Sequence, residues 1–98
     1  MTPEEKKRDA YLRKTYGITL EDYGVILAFQ GGVCAICSRP PAGRALHLDH
    51  DHVTKRPRGL LCFNCNRRVL GRQRDPALLR SAARYLERPP ADTALLAT

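Results

Sequence analysis

Tryptophan is absent, and only six aromatic side chains, four Tyr and two Phe, stand in the 98 residues. A domain of this size buries limited apolar surface, so packing of large rings cannot be its main source of stability. No apolar run approaches the length that spans a bilayer, and no basic n-region, apolar h-region or cleavage site opens the chain. Neither a membrane protein nor a secreted disulfide scaffold is expected; a single domain kept in a reducing cytoplasm is. Acidic residues are scarce as well, ten against seventeen Lys and Arg, for a net charge of +7.

What the chain does contain is concentrated. Its four cysteines form two C-x2-C pairs, Cys34/Cys37 and Cys62/Cys65, separated by 24 residues. Each tight turn presents two thiolates to one ion, which is the spacing of a tetrahedral structural Zn2+ site. Two disulfides are the alternative, but partners so close in sequence make strained bridges, and cross-pairing needs an oxidising compartment. Metal affinity of such a site becomes folding free energy, on the order of 10 kcal/mol or more. Zinc is expected to supply the stability that the small core lacks.

The positive charge keeps company with the cysteines. Residues 1–33 carry five Lys/Arg against five Asp/Glu, and residues 34–98 carry twelve against five. Eleven of those twelve are Arg, whose planar fork suits phosphate oxygens, so a polyanion such as nucleic acid is the expected partner. A solvated basic face kept for solubility is the plainer explanation.

Hydrophobic pattern and turn residues divide the chain. Residues 1–33 read as two helices, the first capped by Thr2-Pro3-Glu4-Glu5 and stopped by Gly17, the second opened by Thr19 and broken at Gly31-Gly32. In the second, Leu20, Tyr23, Ile26, Leu27 and Phe29 are expected to form a small core against the cysteine module. Residues 34–73 change to short β-prone segments: an alternating strand over 46–49, a connection over 50–57 with Pro57 at an edge, a strand over 58–61, then a helix from Phe63 to Leu70 ending at Gly71. Residues 74–88 read as a C-terminal helix opened by Asp75-Pro76, and residues 89–98 as a flexible tail. The fold class is α+β.

All three histidines fall between residues 47 and 52, in His47-Leu48-Asp49-His50-Asp51-His52. Hydrolysis of a phosphodiester needs a base for water, a cation for the phosphoryl charge and stabilisation of the leaving oxygen. His50 suits the base, because imidazole titrates near neutrality. Asp49 and Asn66 offer hard oxygens suited to Mg2+ or Mn2+. Neighbours in a regular strand face opposite ways, so Asp49 and His50 can meet one phosphate only if regular pairing stops at about Asp49.

The histidine stretch, followed by Arg58-Gly59-Leu60-Leu61-Cys62-Phe63-Asn64-Cys65-Asn66 and preceded by Tyr16-Gly17-Ile18-Thr19 and Cys34-Ala35-Ile36-Cys37, resembles the phage recombination endonuclease VII family over roughly residues 11–88. That family is a branch of the HNH, or His-Me finger, nucleases. The resemblance implies a ββα-metal core with structural zinc on Cys34, Cys37, Cys62 and Cys65. It implies Asp49 and Asn66 as ligands of a catalytic ion, His50 as general base, and His52 assisting at the scissile phosphate. His47 matches another family histidine and is placed, with Lys55, Arg56, Arg58, Arg67 and Arg68, among the DNA contacts. The implied activity is a metal-dependent DNA endonuclease leaving a 5′ phosphate and a 3′ hydroxyl on branched, packaging or bulk duplex DNA. A homodimer and phage packaging or recombination proteins are the implied partners, in a bacterial host cytoplasm.

Plainer roles exist for several of these residues. His47 fits a half-buried strand histidine bonded to a carbonyl, and His52 a solvated loop residue. Asp51 fits a solvent-facing carboxylate or an orienting partner for an imidazole, and Asn64 a cap for its turn. Many relatives carry Gly after the threonine of the connecting loop, where this chain has Lys55, so a different loop shape is expected. The competing class is a non-catalytic zinc-stabilised module that binds DNA, or serves packaging or regulation, through the same basic face. Such a module needs Arg and zinc but has no use for Asp49, His50 and Asn66 together.

Overall fold

The computed structural model describes residues 1–96, and Ala97 and Thr98 lie outside the described residues. Helices α1 (Pro3–Tyr16) and α2 (Leu20–Phe29) precede strands β1 (His47–His50) and β2 (Pro57–Leu61), a π-helix (Cys65–Val69), and helices α3 (Pro76–Glu87) and α4 (Pro90–Leu96). Helix and a small sheet thus surround a cluster of four cysteines.

The N-terminal helices start where their capping chemistry dictates. Thr2 Oγ1 accepts the Glu5 N–H at 3.1 Å while the Glu5 carboxylate accepts the Thr2 N–H at 2.9 Å, and Thr19 and Asp22 repeat the exchange at 2.9 Å each way. Gly17 ends α1 in the left-handed region, at φ 72°. Asp9 then joins the helices, accepting the Leu20 N–H at 2.8 Å and the Arg13 guanidinium at 2.8 Å. Tyr23 is buried, and Leu20, Ile26 and Leu27 pack beside it. Phe29 does not join them: it is 92% exposed, because two residues beyond Leu27 is more than half a helical turn away.

Packing from α2 fixes the hairpin. The Tyr23 hydroxyl donates to the Leu46 carbonyl at 2.7 Å, immediately before β1. Along the outer edge of β2, the Gln30 side chain accepts the Leu60 N–H at 2.8 Å and donates to the Leu60 carbonyl at 2.9 Å, doing the work of a third strand. Gly59 leaves room for this, since a Cβ there would lie 3.1 Å from Gln30 Oε1. The core comprises Leu12, Tyr23, Cys34, Leu46, Leu48, Leu60, Leu61 and Cys65.

Within the antiparallel hairpin, His47 faces Leu61, Leu48 faces Leu60 and Asp49 faces Gly59, but His50 faces Pro57. Register therefore slips between Asp49 and His50, at the point where the sequence required regular pairing to stop. In the connecting loop the Asp51 carboxylate accepts N–H groups of Val53 and Thr54, both at 2.8 Å, and these hold its pKa below the usual carboxylate range, Thr54 most and Val53 next. Asp51 thus shapes the loop instead of orienting an imidazole. Lys55 adopts φ 67°, the left-handed conformation that glycine takes freely, so the loop keeps a glycine-type turn without the glycine.

Beyond Cys62 the expected helix begins with Phe63 and Asn64 but widens into π geometry over Cys65–Val69, with the Leu70 N–H bonded to the Cys65 carbonyl at 3.0 Å. Helix α3 starts at its Asp75 cap as expected. Residues 90–96, read from sequence as flexible tail, form α4; Pro90 opens it and the Asp92 N–H reaches the Pro89 carbonyl at 3.1 Å. Neither α3 nor α4 buries a residue.

Candidate functional site

The described residues carry two candidate sites. In the first, the sulfurs of Cys34, Cys37, Cys62 and Cys65 all lie within 4.8 Å of one another, and Cys37 Sγ stands 3.8 Å from Cys62 Sγ. A tetrahedron with bonds of ~2.3 Å to zinc has edges of ~3.8 Å, so the four thiols fit Zn2+ and none is spent on a disulfide. The backbone shapes the pocket: Ser38 turns left-handed at φ 62° just after the first knuckle, and the Ala35 N–H binds the Leu60 carbonyl at 3.1 Å, tying that knuckle to β2.

The thiols ionise unequally. Burial opposes ionisation of Cys34, but N–H groups of Cys37, Cys62 and Ile36 turned to its sulfur, with the Cys37 thiol, outweigh it and bring it to about 6. Cys65 is pushed up to about 12, by burial first and then by the sulfurs of Cys62, Cys34 and Cys37.

The second site is a cleft of about 460 Å3 whose wall carries His47, Asp49, His50, His52, Asn66 and Tyr16. The neighbours Asp49 and His50, on either side of the register slip, both line it. Asn66 arrives from the π-helix directly after Cys65, so the cysteine cluster fixes the segment that carries it. Asn66 N–H also binds the Cys62 carbonyl at 3.0 Å.

Asp49 is buried, and its carboxylate is held by Arg58: Nε at 2.8 Å from Oδ2 and an Nη2 contact of 3.2 Å to Oδ1. That hydrogen bond raises the guanidinium's pKa further. Arg58 was expected to meet a DNA phosphate, and here its fork is committed to Asp49. A carboxylate has about four lone-pair positions, so two remain for other partners. With the Asn66 carboxamide on the same wall, the hard oxygens fit Mg2+ or Mn2+.

The His50 ring lies between two others, 5.2 Å from Tyr16 and 5.1 Å from His52 with 24° between the imidazole planes. His52 is exposed on its other side. His47 is half-buried beside Phe63, 6.1 Å between ring centres, but its Nε2 has no hydrogen-bond partner, so it is not the carbonyl-bonded strand histidine of the plainer reading. Lys55, Arg56 and Arg68 are exposed and do not line the cleft, whereas Arg67 does and also covers the Phe63 ring at 5.6 Å. Three lining residues escaped the sequence reading: Tyr16, Arg72 and Arg74. Both arginines belong to the basic surplus after Cys34, which was the available signal, and Tyr16 opens the Tyr-Gly-Ile-Thr segment.

The family model described as recombination endonuclease VII matches residues 9–88. Gene 59 protein of Mycobacterium phage D29 is 52% identical over 79 residues, covering 79% of this chain and 48% of that protein. Gene 59 protein of Mycobacterium phage L5 is 48% identical over 79 residues with the same two shares. The chain thus spans about half the length of the curated relatives it matches. No solved structure matches. No helix among the described residues is long and apolar enough to cross a membrane.

Proposed function

This chain belongs to the recombination endonuclease VII family, and from that premise we propose that it hydrolyses phosphodiester bonds of DNA with a divalent cation. The observation that supports this reading is the cleft that Asp49, His50 and Asn66 share. The hairpin and the helical turn after it are read as the ββα-metal core of an HNH, or His-Me finger, nuclease, with residues 1–98 as one unit.

In this reading His50 takes a proton from water, the water oxygen attacks phosphorus, and the bond from phosphorus to the 3′ oxygen breaks; a second water protonates that oxygen, leaving a 5′ phosphate and a 3′ hydroxyl. Asp49 and Asn66 hold Mg2+ or Mn2+, which when bound supplies positive charge to the phosphoryl group and the leaving oxygen. Arg58 keeps the Asp49 carboxylate oriented. Tyr16 and His52 confine the His50 ring, and His52 faces the strand being cut. Zinc on the four cysteines contributes folding energy and locks Cys65, which aims Asn66. Exposed Lys55, Arg56 and Arg68 are proposed contacts to the DNA backbone outside the cleft. A second copy of the chain and phage recombination or packaging proteins are the further partners proposed.

The test is nicking of supercoiled plasmid by the zinc-loaded protein with Mg2+ or Mn2+, beside His50→Ala. The variant is expected to keep zinc, fold and DNA affinity and to lose at least ~100-fold in rate, the scale of general-base catalysis. Equal nicking by both proteins removes His50 as the base. A wild type that binds DNA and never cuts it is the non-catalytic module instead.

A further inference from the structure

Among the described residues, two buried side-chain atoms lack any hydrogen-bond partner: His47 Nε2 and Arg74 Nε. Both residues line the same cleft. Leaving a buried polar atom unpaired costs stability, roughly 1–3 kcal/mol for a neutral group and more for a charged one, so such atoms are uncommon in a folded chain. Both atoms are closed to solvent as their side chains stand, so a group entering the cleft pairs with them only as the two side chains turn toward it.

The charge of the wall identifies that group. Arg67, Arg72 and Arg74 line the cleft against one carboxylate, Asp49, and that carboxylate is already bonded to Arg58. Net positive charge therefore lines the cleft, whose wall also includes His47. An oxyanion with several acceptor oxygens matches this set, and a phosphodiester is the one that a DNA strand brings. The chain is bent to deliver these groups. At Gly71, just past the π-helix, a Cβ would fall 1.9 Å from the Arg67 carbonyl oxygen, so only glycine permits the turn that returns Arg72 and Arg74 to the cleft.

We propose that Arg74, with His47 beside it, forms a phosphate subsite in the wall of the cleft, gripping the backbone of the strand held against Asp49, His50 and Asn66. The proposal rests on the nuclease reading and adds to it a positioning contact outside the cysteine-to-asparagine segment. It also gives the unpaired atoms a use: each gains a partner when entering substrate draws its side chain toward the phosphate.

Arg74→Met separates this from a structural role. Fluorescence anisotropy of a labelled duplex, with zinc-loaded protein and no other divalent ion, gives affinity against salt concentration. Losing one phosphate contact lowers the slope of log affinity against log salt by about one. The expected result is that lowered slope with zinc content intact and a melting temperature equal to or above wild type, because an orphaned donor has gone. An unchanged slope, or a lowered melting temperature with wild-type affinity, overturns the subsite. Should Arg74→Met fail to fold, Arg74→Lys serves in its place: the charge and slope stay, and loss of the fork weakens binding roughly tenfold. Unchanged affinity there is equally fatal. Plasmid nicking by the wild type is followed in parallel. If it cuts while Arg74→Met keeps the full slope, the subsite alone falls; if it neither binds nor cuts DNA, the nuclease reading falls with it.

Discussion

Asp49 is a charged side chain at 6% exposure, and a single guanidinium occupies both its oxygens. Truncating that partner leaves a buried carboxylate unpaired. The full penalty for such a loss is about 3–5 kcal/mol, but Arg58 is itself 36% exposed and solvent screens part of the pairing, so Arg58→Met is expected to cost about 2 kcal/mol. A lowered urea midpoint at unchanged m, the two multiplied giving that energy, checks it; an unshifted midpoint means water already satisfies Asp49. The sequence reading expected residues 49, 50 and 66 to converge, and all three line one cleft. The fork on Asp49 was not legible there, since it depends on register: Asp49 faces Gly59, which puts Arg58 diagonally across the hairpin. Phosphate contact and carboxylate pairing make the same demand on an arginine, and only the strand pairing decides between them.

Short-range signals carried the helices. Thr2, Thr19, Gly17 and Asp75 mark helix ends because each satisfies backbone groups within four residues of itself, and all four stand where expected. The π-helix could not be read the same way. Its wider turn follows from Cys65 being held by the sulfur cluster while Leu70 packs against the core, and π turns of this kind gather at functional sites. Gly71 closes the segment under a tight steric limit. Gly71→Ala is expected to displace the turn and cost about 2 kcal/mol or more, with a drop in melting temperature and weaker DNA binding together, because the arginines move with the backbone. A variant that melts like wild type would show that the turn has slack. Helix α4 was missed because its residues bury nothing, so no apolar periodicity announced it.

The molecule measures 67 × 29 × 19 Å, and its radius of gyration of 18.0 Å exceeds the ~13 Å of a compact domain of this length. Helices α3 and α4 lie at the surface without buried residues, so the cooperative core is small and consists of α1, α2, the hairpin and the cysteines. Two of the eight core residues are cysteines of the metal cluster. Chelating zinc is therefore expected to unfold the hairpin and the π-helix, seen as lost amide protection at Leu60 and Leu70, and retention of protection there would show that the core stands without metal. The division into a sulfur cluster and a carboxylate–amide cleft, one organising the other, is the centre of the account. Its most direct measurement is Mn2+ binding, by electron paramagnetic resonance, to zinc-loaded wild type and Asn66→Ala. The account predicts one zinc per chain in both proteins and Mn2+ affinity at least ~10-fold weaker in the variant; the same Mn2+ titration in both would contradict it.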